Sequence, residues 1–263
     1  MGMKVKGINF SYAYSRGSKV ERIEKTWQLG QQVFDRVIQK FDEQTSVPIE
    51  QKSIPISNLR GLLKENLPEM LKFSVKKTPK EEKVVGSLTS TYNSTAPKRY
   101  IMEVPAEDNK LFIRHVSTLI HETIHLLDRA LQPQFQAVES QMSKRGLSYR
   151  FSKFYNEVFY TNKGYSKFST KRKTNKFLKG MSIEDRLLAL RFFKLNMETE
   201  TRAYQASNNI DKSLVNADKD KIFMNQLAYQ NYNFERNIKL VDKMRADIIK
   251  KERNKIKRAH KNS

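Results

Sequence analysis

The order of elements legible in the sequence predicts an α+β protein, mostly helical, with a small antiparallel sheet or hairpin just before its fourth element. Three observations carry this. Apolar residues recur at helical spacing over four stretches. Two short segments rich in β-branched and aromatic residues lie between the second and third of them. Nothing alternates as strand-helix-strand, which excludes a parallel α/β sheet. The chain has 263 residues, 38% of them hydrophobic, enough for one sizeable core or one core plus an appendage.

In residues 19–43, Val20, Ile23, Trp27, Val33, Phe34, Val37 and Phe41 stand near helical spacing with charged residues between them, the pattern of an amphipathic helix. Pro48 and Pro55 interrupt 44–55. A second helix is predicted from Ser57 to Phe73, with Leu59, Leu62, Leu63, Leu67 and Met70 on its buried face despite Gly61 and Pro68. Val84–Tyr92 and Arg99–Val104 read as the two strands of a hairpin around a loop containing Asn93, Ser94 and Pro97. The helical period returns over Leu111–Leu131. A last helix opens at an N-cap, Ser182, and runs through Ile183, Leu187, Leu190, Phe193 and Met197 to about Ser207. The predicted organisation is a catalytic domain over 1–207, with a basic, aromatic insertion at 141–180, and a basic helical extension over 208–263. No internal repeat is present.

Fifty Lys+Arg against 28 Asp+Glu give a formal charge of +22, so an acidic surface is excluded and attraction to polyanions is expected. The absence of cysteine excludes disulfides, thiolate zinc sites and a cysteine nucleophile. No window approaches the ~20 apolar residues of a membrane span. The opening Met1–Lys6 is not followed by a signal-like apolar stretch, and Lys6 stands where a myristoylation motif at Gly2 needs Ser or Thr. These features predict a cytoplasmic or intracellular protein with no membrane partner.

The chemistry is concentrated in Leu119-Ile-His121-Glu122-Thr-Ile-His125-Leu-Leu-Asp128, which contains His-Glu-x-x-His. On a helix, residues four apart differ by about 40° of rotation and roughly 6 Å of rise, so both imidazoles can converge on one ion. Glu122 is displaced by about 60° to 100° from the pair, placing its carboxylate within reach of a water on that ion. Two neutral imidazoles and a carboxylate suit zinc, one per chain, and leave a position open for a water whose pKa falls towards about 7. Glu122 would take the proton of that water and pass it to the leaving amine. With four His and eighteen Glu in the chain, chance alone produces the pattern with a probability of roughly 0.004, so coincidence is the weaker explanation.

A third ligand is needed. Glu198 and Glu200 compete on the last predicted helix. Glu200 shares its face with Phe193, Met197, Ala203 and Tyr204, whereas Glu198 lies nearer Arg191, Lys194, Arg202 and Gln205. A carboxylate among apolar neighbours is costly unless it binds a cation, which selects Glu200.

At these residues the chain resembles the gluzincin type of zincin metallopeptidase, in which a helical HExxH is followed by a Glu on a later helix. The resemblance covers about 85–207. Glu200-Thr-Arg-Ala203-Tyr204 looks like the Glu-x-x-Ala pattern common in the group, and Asp128, which makes the first motif HExxHxxD, is similar to lethal-factor-like members. The resemblance implies a zincin-like fold, zinc ligands His121, His125 and Glu200, and Glu122 as general base. No third histidine follows His125 at the metzincin spacing, which excludes that branch.

Asp128 lies about 7–8 Å along the axis from an ion midway between the histidines, too far to ligate it. It either accepts an N–H from a ligand imidazole or pairs with Arg129 or a neighbouring base. For the oxyanion, Tyr204, Tyr160 and Tyr165 are candidates. Either 85–92 or 99–104 could be the edge strand that holds an extended peptide or protein substrate. His115, about 120° round the predicted helix from His121, and His260, in the basic tail, are left out of the site.

The positive charge has a second reading. Residues 141–180 hold eleven Lys/Arg, one acid and nine aromatics, and 250–261 is Lys/Arg-rich with only Glu252 opposing. Lys171, Arg172, Lys173, Lys250, Lys251 and Arg253 are the candidate contacts to nucleic acid or another polyanion, with the aromatics either stacking on bases or packing a lid. The alternative function is a nucleic-acid-associated or virion-packaged structural protein, of the kind found in phage particles, with an inactive or structural zincin site. A solvated Lys-rich surface explains the same residues.

Overall fold

The computed structural model describes residues 19–67, 73–77, 87–91, 99–159, 167–213 and 233–259, with the side chains of 19–27, 73, 76–77, 89–91, 99, 167–169, 208–213 and 259 outside that set. In chain order the elements are α1 (Lys19–Asp42), β1 (Ser53–Pro55), α2 (Ile56–Asn66), β2 (Phe73–Lys77), β3 (Ser87–Thr91), β4 (Arg99–Val104), β5 (Lys110–Phe112), α3 (Val116–Leu131), α4 (Pro133–Lys144), α5 (Ser148–Phe159), α6 (Lys167–Leu178), α7 (Ile183–Ser213) and α8 (Phe234–Ala259). Helix predominates, with small sheets confined to the segment before α3. The chain packs as two compact units, Met1–Pro133 with Arg202–Met224, and Gln134–Thr201 with Asn225–Ser263.

The first unit is built around α3. Thirteen of its sixteen residues are buried, so it reads as apolar nearly all round rather than along one stripe. Helix α1 lies against it through Leu29, Val33, Val37 and Phe41. Gly30 permits the close approach: a Cβ there would stand 2.7 Å from Cδ1 of Ile124.

Helix α2 is shorter than predicted. It ends at Asn66, because Leu67 precedes Pro68 and is driven to extended backbone (φ −99°, ψ 152°). The chain from Phe73 then enters β2, a strand the sequence reading missed by running the helix through the proline; Met70 lies outside the described residues. Helix α3 ends in the same way at Gln132, before Pro133, which opens α4.

Strands β3 and β4 pair antiparallel as predicted, with Leu88 opposite Met102. The loop with Asn93, Ser94 and Pro97 lies outside the described residues. Strand β2 joins the other edge of β4 in parallel, Val75 opposite Met102, so the sheet order is β2-β4-β3 and its middle strand is β4. The stretch predicted as helix from Leu111 begins instead with β5, which pairs with β1, followed by a 3-10 turn over Ile113–His115. A tight turn with Asp108 and Asn109 at positive φ feeds β5.

The second unit has an aromatic core. Phe151, Phe154, Phe159 and Phe177 are buried with Phe192, Phe193 and Phe234. Phe154 stacks on Phe177 at 4.4 Å, and Phe193 meets Phe154 edge-on at 4.9 Å. Gly146 at φ 66° turns the chain out of α4, with the Leu147 N–H returning to the Met142 carbonyl. Ser182 caps α7 as predicted, its Oγ accepting the Asp185 N–H at 3.1 Å. The helix continues past Ser207 to Ser213. Within the predicted 208–263 extension, α8 is the described helix beyond α7, and Lys194 of α7 is paired with its Asp242 at 2.6 Å. Among the described residues, no helix is long and apolar enough to cross a membrane.

Candidate metal centre

The two histidines of the motif occupy successive turns of α3, and the helix converges them as its geometry requires. Their Nε2 atoms are 3.1 Å apart, with ring centroids at 4.8 Å. Two nitrogens bound to one tetrahedral zinc at 2.0–2.1 Å would stand about 3.3 Å apart, so the pair fits a shared ion. His125 is buried and His121 half-buried, which leaves the pair approachable from one side. Glu122, on the same turn, is 6% exposed, and a carboxylate in that environment has a raised solvation cost unless its charge is used.

Glu200 completes the group. One ligand atom from each of His121, His125 and Glu200 lies within 4.8 Å of the others. Glu200 stands two residues before the point where α7 enters the first unit, and the unbroken helix passes through it. From Arg202 onwards that helix is packed in the first unit, with Ala203 and Ala206 buried in the core around α3. The competitor Glu198 is drawn to Lys194, 4.0 Å away. The donor set is therefore two imidazoles and one carboxylate, the borderline-soft combination that suits zinc.

Asp128 is fully buried, and its partner is Arg202. Nε and a terminal nitrogen of the guanidinium donate to Oδ2 at 2.9 and 2.6 Å, and the Gln132 amide donates to Oδ1. Arg129, the partner weighed from sequence, instead donates to the Leu88 carbonyl at 3.2 Å and ties β3 to α3. The Asp128–Arg202 pair joins the third residue after His125 to the second after Glu200. It thereby locks the register of the two ligand-bearing helices about one turn from the ligands. Sequence reasoning missed Arg202 and Gln132 in this role. The available signal was an acid on an apolar helix, which demands a cation, but with 50 bases in the chain the demand does not name one.

Tyr204, one turn beyond Glu200, sets its ring edge-on to His121 with centroids 4.7 Å apart. Tyr155, which no sequence pattern singled out, donates its hydroxyl to Glu200 Oε1 at 3.4 Å. Tyr160 and Tyr165, the other oxyanion candidates, lie outside the described residues, as does His260. His115 does not lie within the helix but stands at its N-cap position without a side-chain capping bond, with Nε2 3.7 Å from Glu107. Of the two candidate edge strands, β4 is paired on both sides and β3 on one, so of these two it is β3 that stands at an edge of its sheet among the described strands.

Of the six candidate polyanion contacts, Lys171, Arg172, Lys250, Lys251 and Arg253 are exposed. Lys173 is half-buried and its ammonium donates to the Glu157 carbonyl, tying α6 to α5. Compared with family profiles, curated proteins and solved structures, the chain matches none.

Proposed function

We propose that this chain is a zinc-dependent metalloendopeptidase of the zincin kind and the gluzincin type, with one zinc held by His121, His125 and Glu200. The observation that supports this is the convergence of two imidazole nitrogens at 3.1 Å with a carboxylate from a distant helix in the same small group. Zinc, when bound by such a set, supplies a Lewis acid that acidifies water towards a pKa of about 7 and polarises a carbonyl.

The remaining work falls to side chains of this protein. Glu122 accepts the proton of the attacking water on its carboxylate and returns it to the leaving amine. Its burial, at 6% exposure, keeps competing water away from that proton. The Tyr204 hydroxyl is the donor offered to the developing oxyanion, and its ring steadies the His121 imidazole. The outer edge of β3 would align an extended peptide or protein substrate by main-chain hydrogen bonds. Tyr155 and the Asp128–Arg202 pair hold Glu200 and its helix in position.

Metal content and peptide turnover test this reading together. The purified protein should hold about one zinc per chain. Glu122→Gln should keep that zinc and cut turnover of a mixed peptide library by about 10²–10⁴. His121→Ala should lose the metal. Equal zinc in wild type and His121→Ala would remove the site, and a zinc-loaded wild type inert towards the library would remove the peptidase.

A further inference from the structure

We infer that the second unit binds the phosphate backbone of double-stranded nucleic acid, using exposed bases of α6 and α8. The charge is concentrated there: this unit carries 25 Lys+Arg against 10 Asp+Glu, net +15, while the first carries 25 against 18, net +7. Helices α6 and α8, which bring the two basic segments, pack against each other within the unit. Lys171, Arg172 and Lys176 on α6 and Lys250, Lys251 and Arg253 on α8 are all exposed. None of the six has an acidic partner among the described residues. Of the acids of α8, Asp242 is engaged by Lys194 and Glu252 by Lys255, which leaves Asp247 as the exposed acid near Lys250 and Lys251.

The form of α8 narrows the partner. From Lys250 to Arg258 no residue is buried, and six bases cover an arc of about 200° over two and a half turns. A helix presenting bases over most of its circumference can face phosphates on both walls of a groove, whereas a flat anionic surface would meet only one side. Of the rings that would stack on unpaired bases, Phe151, Phe154, Phe159 and Phe177 are buried in the aromatic core, and Tyr149 is the exposed one among the described residues of these segments. One exposed ring is no platform for successive bases, and Lys and Arg on phosphate read no sequence, so the binding is to duplex and independent of sequence.

Fluorescence anisotropy with the full chain, a labelled duplex of about two helical turns, and a single strand of equal length tests this between 50 and 200 mM salt. Duplex affinity should fall by about 10³ across that range and be indifferent to chelator. Replacing the six bases by Gln should weaken duplex binding at least about 100-fold and flatten the salt dependence, while Lys64→Gln in the first unit leaves both unchanged. These are surface changes, and unchanged thermal unfolding of each variant certifies the fold. No duplex binding at 50 mM salt, wild-type affinity in the six-base variant, tighter binding to the single strand, or binding only to phosphatidylserine vesicles would each overturn the inference.

Discussion

The two compact units treat charge in opposite ways. Among the described residues, the buried ionisable side chains are Glu122, His125 and Asp128, all in the first unit and all on α3. Among its described residues the second unit, whose net charge is +15, buries only neutral polar groups, Thr170, Thr174, Asn196, Thr199 and Asn237, around a cluster of phenylalanines. Bringing an ionisable group out of water is costly and persists only where a counter-charge or ligand compensates it. Three of them on one helix single out α3 as the element that must compensate buried charge, whereas exposed lysines are cheap to keep and act at longer range.

The sharpest way to break this contrast is to orphan the buried acid. Arg202→Met should destabilise the protein by about 3–5 kcal/mol in a denaturant titration, because Asp128 is left buried without its counter-charge. Its zinc affinity should fall by about 10–100-fold as Glu200 loses its anchored helix. The double change Asp128→Leu with Arg202→Met should recover most of the stability without recovering the affinity. If Arg202→Met behaved like an exposed substitution, the pair would not be the buried device described.

A comparable core change in the second unit should act differently. Phe193→Ala removes a ring that is 1% exposed and packed on Phe151, Phe154 and Phe159, at a cost of about 3–5 kcal/mol. Hydrogen exchange should show the lost protection in α5 and α7, because an aromatic cavity has no charge to be rescued by a second substitution. Uniform loss over α1 and α3 as well would show that the division into units has no energetic meaning.

The smallest effect is electrostatic and lies at the surface. The Arg145 guanidinium, hydrogen-bonded to Asp185 at 2.6 Å, holds its carboxyl below the ordinary value of 3.8, and Ser182 adds to the shift. A carboxyl with a folded pKa below its unfolded one contributes stability above about pH 4, and loses it as the pH falls through the folded value. Arg145→Gln should move the Asp185 titration back towards 3.8 by NMR. It should leave stability at neutral pH nearly unchanged, since exposed pairs contribute little.

Local geometry made part of this molecule legible without coordinates. Four-residue spacing on a helix converges His121 and His125 whatever surrounds them, Ser182 caps α7 because a hydroxyl at that position meets an orphaned N–H, and β-branched runs pair as β3 and β4. Glu200 was also reachable, because helical phase alone separates it from Glu198. Other features needed the fold. That α2 stops at Asn66 depended on Pro68 outweighing the apolar period, and β2 from Phe73 found its place only by pairing with β4. The partner of Asp128 lies 74 residues away in sequence, and Phe151, Phe154, Phe159 and Phe177 became core rather than stacking surface once packed with Phe192 and Phe193 of α7. Periodicity and spacing are properties of neighbouring residues, whereas the choice of one arginine among fifty bases is made only when two helices meet.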